Sequence, residues 1–244
     1  MDLIPEELRE RMAKARSVAV LTGAGISAES GVPTFRDAQA GLWARWRPED
    51  LATPQAFHRN PRLVWDWYRW RRELVRDTDP SSGHVALARL ERRISRFHLT
   101  TQNVDGLHQR AGSLDPVELH GNLFRDLCAY EGTEVEIPAG TDEAPPHCPR
   151  CGGPVRPGVV WFGEALPASA LLEAEAAAGD CDVYLVVGTS GLVHPAAELP
   201  SAARRAGAFV VEINTESTPL TEFVHISLRG RAGAVLTSLL ESLP

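Results

Sequence analysis

The chain has 244 residues, 43% of them hydrophobic and 23% charged, with a formal net charge of -7. That acidic balance argues against non-specific nucleic-acid binding, and no apolar run approaches the roughly 20 residues of a membrane span. The acidic opening, Met1 to Glu7, lacks the apolar core of a secretory leader, so a cytoplasmic location is expected. Without a leader, the four cysteines point to metal or free thiols rather than disulfides.

Leu3, Ile4, Leu8, Met12 and Ala15 repeat at helical spacing, with Pro5 suited to the first turn. The β-branched run Val18 to Thr22 reads as a buried parallel strand. It leads into Gly23-Ala24-Gly25 and then Ile26-Ser27-Ala28, which can open a helix. Strand, glycine turn and helix N-terminus together make a phosphate cradle, and G-x-G-x-x-A is close to the dinucleotide fingerprint. A plain tight turn between strand and helix has the same spacing. Gly31 and Pro33 break this helix early, and no strand ending in an acidic ribose ligand follows, which speaks against a dehydrogenase. The nucleotide is then expected under a loop, with Phe35 and Arg36 as lid residues.

Residues 37–93 contain no convincing strand. Gly41 to Pro48 reads as loop or short helix, Thr53-Pro54 as a turn, and Arg62 to Val75 as a long amphipathic helix rich in aromatic residues. Ser81 or Ser82 can cap a further helix through Val85, Leu87, Leu90 and Ile94. Phe97 to Thr101 is a second buried strand whose end carries Gln102, Asn103 and Asp105. Val183 to Val187 leads in the same way into Gly188-Thr189-Ser190, and Phe209 to Ile213 into Asn214. An alanine-rich helix over 168–178, a short strand over 224–228 and a closing helix through Val235 and Leu243 complete the alternation. The pattern implies an α/β fold, a doubly wound parallel sheet of Rossmann type, with ligands at the carboxyl ends of its strands.

Between residues 121 and 162 lies a second insertion. Cys148-Pro149-Arg150-Cys151 is half a zinc ribbon, but its other half, Cys128-Ala129-Tyr130-Glu131, has Glu where a second cysteine is expected. Three thiolates with Glu131 or His147 form a legitimate zinc set; a loop packed without metal is the alternative. His120, in Glu118-Leu119-His120-Gly121-Asn122, is the conspicuous titratable group, although a lone histidine among eight is more often structural. Tyr68 and Arg71 lie three apart and share a helix face, where a phenol beside a guanidinium suits a carboxylate. Arg69, Arg72 and Arg76 are nearby competitors for that role.

The run Gly23 to Arg36 resembles the opening signature of the sirtuins, the NAD-dependent protein lysine deacylases. Thr101 to His108, Leu119 to Asn122, Val160 to Glu164 and Gly188 to Ser190 resemble the family's later signatures, in the right order. The resemblance implies a Rossmann-like NAD domain of residues 1–36, 94–120 and 163–244, with a small domain made of a helical insertion, 37–93, and a zinc-ribbon-like insertion, 121–162. It implies catalysis by His120 with Asn103 and Asp105, and NAD held by Gly23, Ala24, Gly25, Ser27, Glu29, Phe35, Arg36, Gln102, Gly188, Thr189, Ser190, Asn214 and Ala232. Val160, Phe162 and Gly163 would meet the acyl-lysine substrate, and zinc would sit on Cys128, Cys148 and Cys151. Tyr68 and Arg71 resemble the pair of the branch that removes succinyl and malonyl groups; Leu51 to Pro54 and Gly41 to Trp43 also resemble that branch. The expected products are deacylated lysine, nicotinamide and 2′-O-acyl-ADP-ribose. The rival readings are a plain deacetylase, a mono-ADP-ribosyltransferase and a non-catalytic NAD-binding module.

Overall fold

The alternating apolar faces of one strand set the layers of the molecule. In β1 (Ser17–Thr22) every residue is buried; Val18 and Val20 face one core while Ala19 and Leu21 face another. A strand buried on both faces needs cover on both sides, which is the arrangement of a parallel sheet between helices. The computed structural model describes residues 3–33, 47–138 and 140–243. Phe35, Arg36 and the Gly41 to Trp43 segment lie outside the described residues.

Strands β2 (Arg96–Thr101), β3 (Val117–Glu118), β6 (Val183–Val187), β7 (Phe209–Asn214) and β8 (Ile226–Arg229) join β1 in one sheet, in the order β3-β2-β1-β6-β7-β8, and every neighbouring pair is parallel. One face is covered by α1 (Glu6–Lys14), α6 (Ser82–Glu91) and α10 (Ala232–Ser242), the other by α8 (Ala168–Gly179) and α9 (Leu199–Arg205). The chain winds outward from β1 through β2 to β3, then crosses back to β6 on the other side of β1. The switch point therefore lies between the carboxyl ends of β1 and β6, where open α/β sheets hold ligands.

Two regions inserted between the strands of the sheet pack against each other. The first carries α3 (Pro48–Leu51), α4 (Pro54–Arg59) and α5 (Pro61–Arg76); the second carries the antiparallel pair β4 (Gly121–Cys128) and β5 (Val155–Val159). Leu51, Phe57, Val64, Trp67 and Tyr68 pack with Leu123, Val159 and Trp161 into one cluster. Three local expectations change here. Thr53-Pro54 opens a helix rather than a turn: the Thr53 hydroxyl accepts from Ala56 N–H at 3.1 Å and Pro54 takes the first helical position. The helix capped by Ser81 stops at Glu91, short of Ile94. That helix, α6, falls within the range read as helical insertion, yet its Ala86, Leu87 and Leu90 pack into the sheet's own core.

The loops after β1 and β6 meet backbone to backbone at the switch point. Gly23 N–H donates to Val187 O at 2.9 Å, and Gly25 N–H to Gly188 O at 2.8 Å. A Cβ on Gly25 would sit 2.7 Å from Gly188 Cα, and Gly188 itself has φ of +60°. Glycine at these positions thus allows one loop to close on the other. Gly25→Ala is expected to destabilise the protein by about 1–3 kcal/mol, the usual range for forced overpacking, read as a lower urea midpoint; an unchanged midpoint would show that the loops can separate without loss.

Candidate active site

The loops at the carboxyl ends of β1, β2 and β6 carry most of the polar residues expected at a nucleotide site. The short helix α2 (Ala24–Ala28), which follows β1, presents Ser27 to the loop after β2. The Ser27 hydroxyl donates to Asp105 Oδ2 at 2.7 Å and accepts from Asn103 Nδ2 at 3.0 Å. Asn103 Nδ2 also donates to Gly23 O at 3.0 Å, and Asp105 Oδ1 accepts from Leu107 N–H, at the start of α7 (Leu107–Arg110). Asp105 is buried, and loss of solvent raises its pKa although both oxygens accept hydrogen bonds.

His120 lies in the turn between β3 and β4 and reaches back to the same edge. Its Nδ1 is 2.9 Å from Gln102 O, a carbonyl that can only accept, so Nδ1 carries the proton and Nε2 keeps its lone pair. Burial lowers the pKa of the ring, with the bond to Gln102 opposing, so the unprotonated form dominates at neutral pH. Gln102 Nε2 donates to Thr189 Oγ1 at 2.9 Å, and Asn214 Nδ2 to Thr189 O at 2.8 Å. The ends of β2, β6 and β7 are thereby tied into one rim beside the imidazole. Ala24 and Ser190 are exposed on that rim. Glu29 is turned away from it, toward α10, where its carboxylate accepts from Gly233 N–H at 3.1 Å beside Ala232.

Val160 sits next to the imidazole because its N–H donates to His120 O at 2.8 Å. The residues after it are held from beneath: Arg156 pairs with both Glu164 oxygens, at 2.5 and 2.8 Å, and stacks 3.5 Å from the Trp161 ring centre. Phe162 is left 53% exposed beside Gly163, with its N–H on Ala52 O. Tyr68 is buried, and its hydroxyl accepts from Trp161 Nε1 at 3.0 Å. Burial pushes the Tyr68 pKa up to about 12. Arg71 lies over Trp67 and Tyr68, 5.0 and 5.8 Å from their ring centres, and near enough to Asp105 for each charge to favour the other's ionised form. Two of the competing arginines are engaged elsewhere: Arg69 pairs with Asp66 at 3.0 Å, and Arg72 with Asp126 at 2.7 Å and with Leu123 O.

Sequence reasoning missed two histidines behind this rim. His84 takes the glutamate position of a capping box on α6: Ser81 N–H donates to its Nδ1 at 3.1 Å, which leaves Nε2 protonated and 3.4 Å from Ser27 Oγ. His108 accepts no proton easily either; its Nε2 is 2.9 Å from Thr22 Oγ1 and its ring 4.7 Å from that of His84. His108 closes the Thr101 to His108 signature but was given no role there, and for His84 the one signal was the Ser81-x-x-His84 spacing, which does not match the usual Glu or Gln.

The residues Cys128, Glu131, Cys148 and Cys151 bring their ligand atoms within 4.8 Å of one another. His147, the alternative fourth ligand, lies outside that group and its Nδ1 is 2.9 Å from Gly152 O. Thiolate and carboxylate donors at this spacing suit zinc.

A model of the Sir2 family matches residues 23–195. An NAD-dependent protein deacylase of Aquifex aeolicus is 50% identical over 93% of this chain and 95% of its own. One of Thermus thermophilus is 52% identical over 98% and 95%. Among solved structures, a Sir2 homologue in complex with NAD superposes with a TM-score of 0.91 at 46% identity, covering 98% of this chain and 93% of that one. A Sir2 protein bound to a deacetylated p53 peptide and 3′-O-acetyl ADP-ribose superposes with a TM-score of 0.84 at 30% identity, covering 98% and 99%.

The buried histidines set an acid sensitivity. His84 is pushed by burial from 6.5 down to about 4, and His108 is lowered in the same direction. As pH falls from 6.5 to 4, the unfolded chain binds a proton at His84 that the folded chain refuses, so stability falls with pH and levels off below about 4. His84 alone should account for roughly 3 kcal/mol over that window. Urea unfolding as a function of pH should show a flatter slope for His84→Gln; an unchanged slope would contradict the assignment.

Proposed function

The chain belongs to the Sir2 family and is an NAD-dependent protein deacylase, and within that activity we propose a preference for acidic acyl groups, succinyl and malonyl, with some acetyl-lysine turnover retained. The same proposal has it acting in the cytoplasm; no helix among the described residues is long and apolar enough to cross a membrane.

When bound, NAD would supply a ribose C1′ to which the acyl oxygen of the substrate lysine bonds as the bond from C1′ to nicotinamide breaks and nicotinamide leaves. Everything else is asked of the protein. In the proposed division of roles His120 is the general base: with Nδ1–H bound to the Gln102 carbonyl, Nε2 is left to take a proton from a ribose hydroxyl. A pKa lowered by burial keeps that nitrogen available at neutral pH. Asn103 and Asp105 orient the nicotinamide and its ribose, themselves fixed through Ser27. Gln102, Thr189 and Asn214 line the path toward the adenosine end. Val160, hydrogen-bonded to the His120 backbone, and the exposed Phe162 beside Gly163 are the proposed contacts to the acyl-lysine.

The observation that carries the acyl preference is the position of Arg71. It shares a face of α5 with Tyr68 and lies within electrostatic reach of Asp105, which supports a role for it at the acyl end of a bound lysine. Burial disfavours its charged form, and a carboxylate arriving with the substrate would offset that loss of solvent. Tyr68 adds a hydroxyl whose raised pKa keeps it a donor at all working pH values.

Arg71→Met should lower kcat/KM for a succinyl-lysine peptide at least about thirtyfold more than for the acetyl peptide, the ~2 kcal/mol lower bound for removing one partner of a desolvated charge pair. Equal losses on both would leave a deacetylase with an incidental arginine. For His120→Ala, loss of the base should cost about 10²–10⁴ in kcat while calorimetry still finds NAD binding; full turnover without the imidazole would remove it from catalysis.

A further inference from the structure

The metal lobe departs from four cysteines at one position, and the backbone there has kept the shape of the cysteine turn. Gly152 N–H donates to Cys148 O at 2.9 Å, and Gly132 N–H to Cys128 O at 2.9 Å. Both glycines are left-handed, with φ of +72° and +67°. Cys128-x-x-Glu131-Gly132 is thus a structural twin of Cys148-x-x-Cys151-Gly152. Glu131 N–H points at Cys128 Sγ, 3.4 Å away, as an amide does toward a ligating sulfur.

The carboxylate is also prepared on one side only. Arg150 Nε donates to Glu131 Oε2 at 3.0 Å, Arg150 Nη2 lies 2.9 Å from the same oxygen, and Thr133 Oγ1 donates to it at 3.3 Å. Arg150 is itself tied to Thr133. These donors all converge on Oε2, so none of them occupies Oε1, and the carboxylate lies within 4.8 Å of the three thiols. Outer-shell donors of this kind fix the orientation of a ligating carboxylate.

We propose that Glu131 Oε1 is the fourth ligand of a three-thiolate, one-carboxylate zinc site, held monodentate by Arg150 and Thr133, and that zinc enters and leaves past it. Cys128 and Cys148 are buried with Trp65 and Val155, whereas Cys151 and Glu131 are exposed. The harder, weaker ligand therefore stands on the solvent side of a site whose soft ligands are mostly on the protein side. A site so built holds zinc less tightly than four thiolates and exchanges it through one face.

Competition with a chromophoric chelator on the full chain, stripped and reloaded with one equivalent of zinc, tests this. Glu131→Gln should weaken zinc at least about tenfold and Glu131→Cys should tighten it at least about tenfold, while His147→Ala stays within about twofold. Cobalt replaces zinc for a second readout independent of affinity. The wild-type thiolate charge-transfer band should rise by about a third in Glu131→Cys, from three sulfurs to four, and stay constant in Glu131→Gln. Zinc held equally by wild type and Glu131→Gln, loss of zinc in His147→Ala, or no zinc uptake by the wild-type chain would each overturn the assignment.

Discussion

One hydroxyl organises the polar edge of this protein. Ser27 Oγ donates to Asp105 and accepts from Asn103, with His84 approaching from behind. It joins α2 to the loop after β2 and lies against α6, so the network draws on three separate elements. A buried network of this kind is strong only when every member is satisfied. The histidine's tautomer is set by Ser81, Ser27's proton is committed to Asp105, and Asn103 divides its two donors between Ser27 and Gly23. The loops at the switch point are thus held by the protein's own hydrogen bonds, which is the condition for electrostatic preorganisation.

The second support of the site is less direct and comes from the two inserted regions. Trp65 of α5 is buried among Cys128, Cys148 and Val155, and Arg72 of the same helix binds β4 through Asp126 and Leu123 O. One turn away on α5, Tyr68 and Arg71 face the sheet's carboxyl edge. The helix that carries Tyr68 and Arg71 is therefore also footed on the cysteine lobe. Tyr68 is fixed in turn by Trp161, and Trp161 by the Arg156–Glu164 pair. The proposed acyl-binding pair and the cysteine lobe are thus linked through one helix.

Much of this was legible in the residues themselves. The strands β1, β2, β6 and β7 are apolar runs that end in polar or glycine residues, and such runs read clearly because both faces of the sheet are buried. Helix α5 announced itself by its amphipathic period, and the structure extends it by one residue at each end, to Pro61 and Arg76. The hairpin β4–β5 did not, because Gly121 to Cys128 alternates irregularly around a register shift and carries charges on its exposed side. His84 was invisible as a member of the site, and His108 was legible only as the end of a signature block, since burial and the tautomer of a ring are properties of tertiary contact. The carboxylate at 131 was visible as an anomaly in a cysteine pattern; its place among the three thiols and the matching turn geometry distinguish it from His147.

The proposed chemistry requires that an imidazole, an ordered ribose and an acidic acyl group meet at the carboxyl edge between β1 and β6. A crystal structure with NAD and a succinyl-lysine peptide measures this most directly. The expected result places the succinyl carboxylate within about 3 Å of both Tyr68 Oη and the Arg71 guanidinium, with a ribose hydroxyl in hydrogen-bond range of His120 Nε2. A carboxylate pointing into solvent, or a ribose out of reach of residue 120, would contradict it.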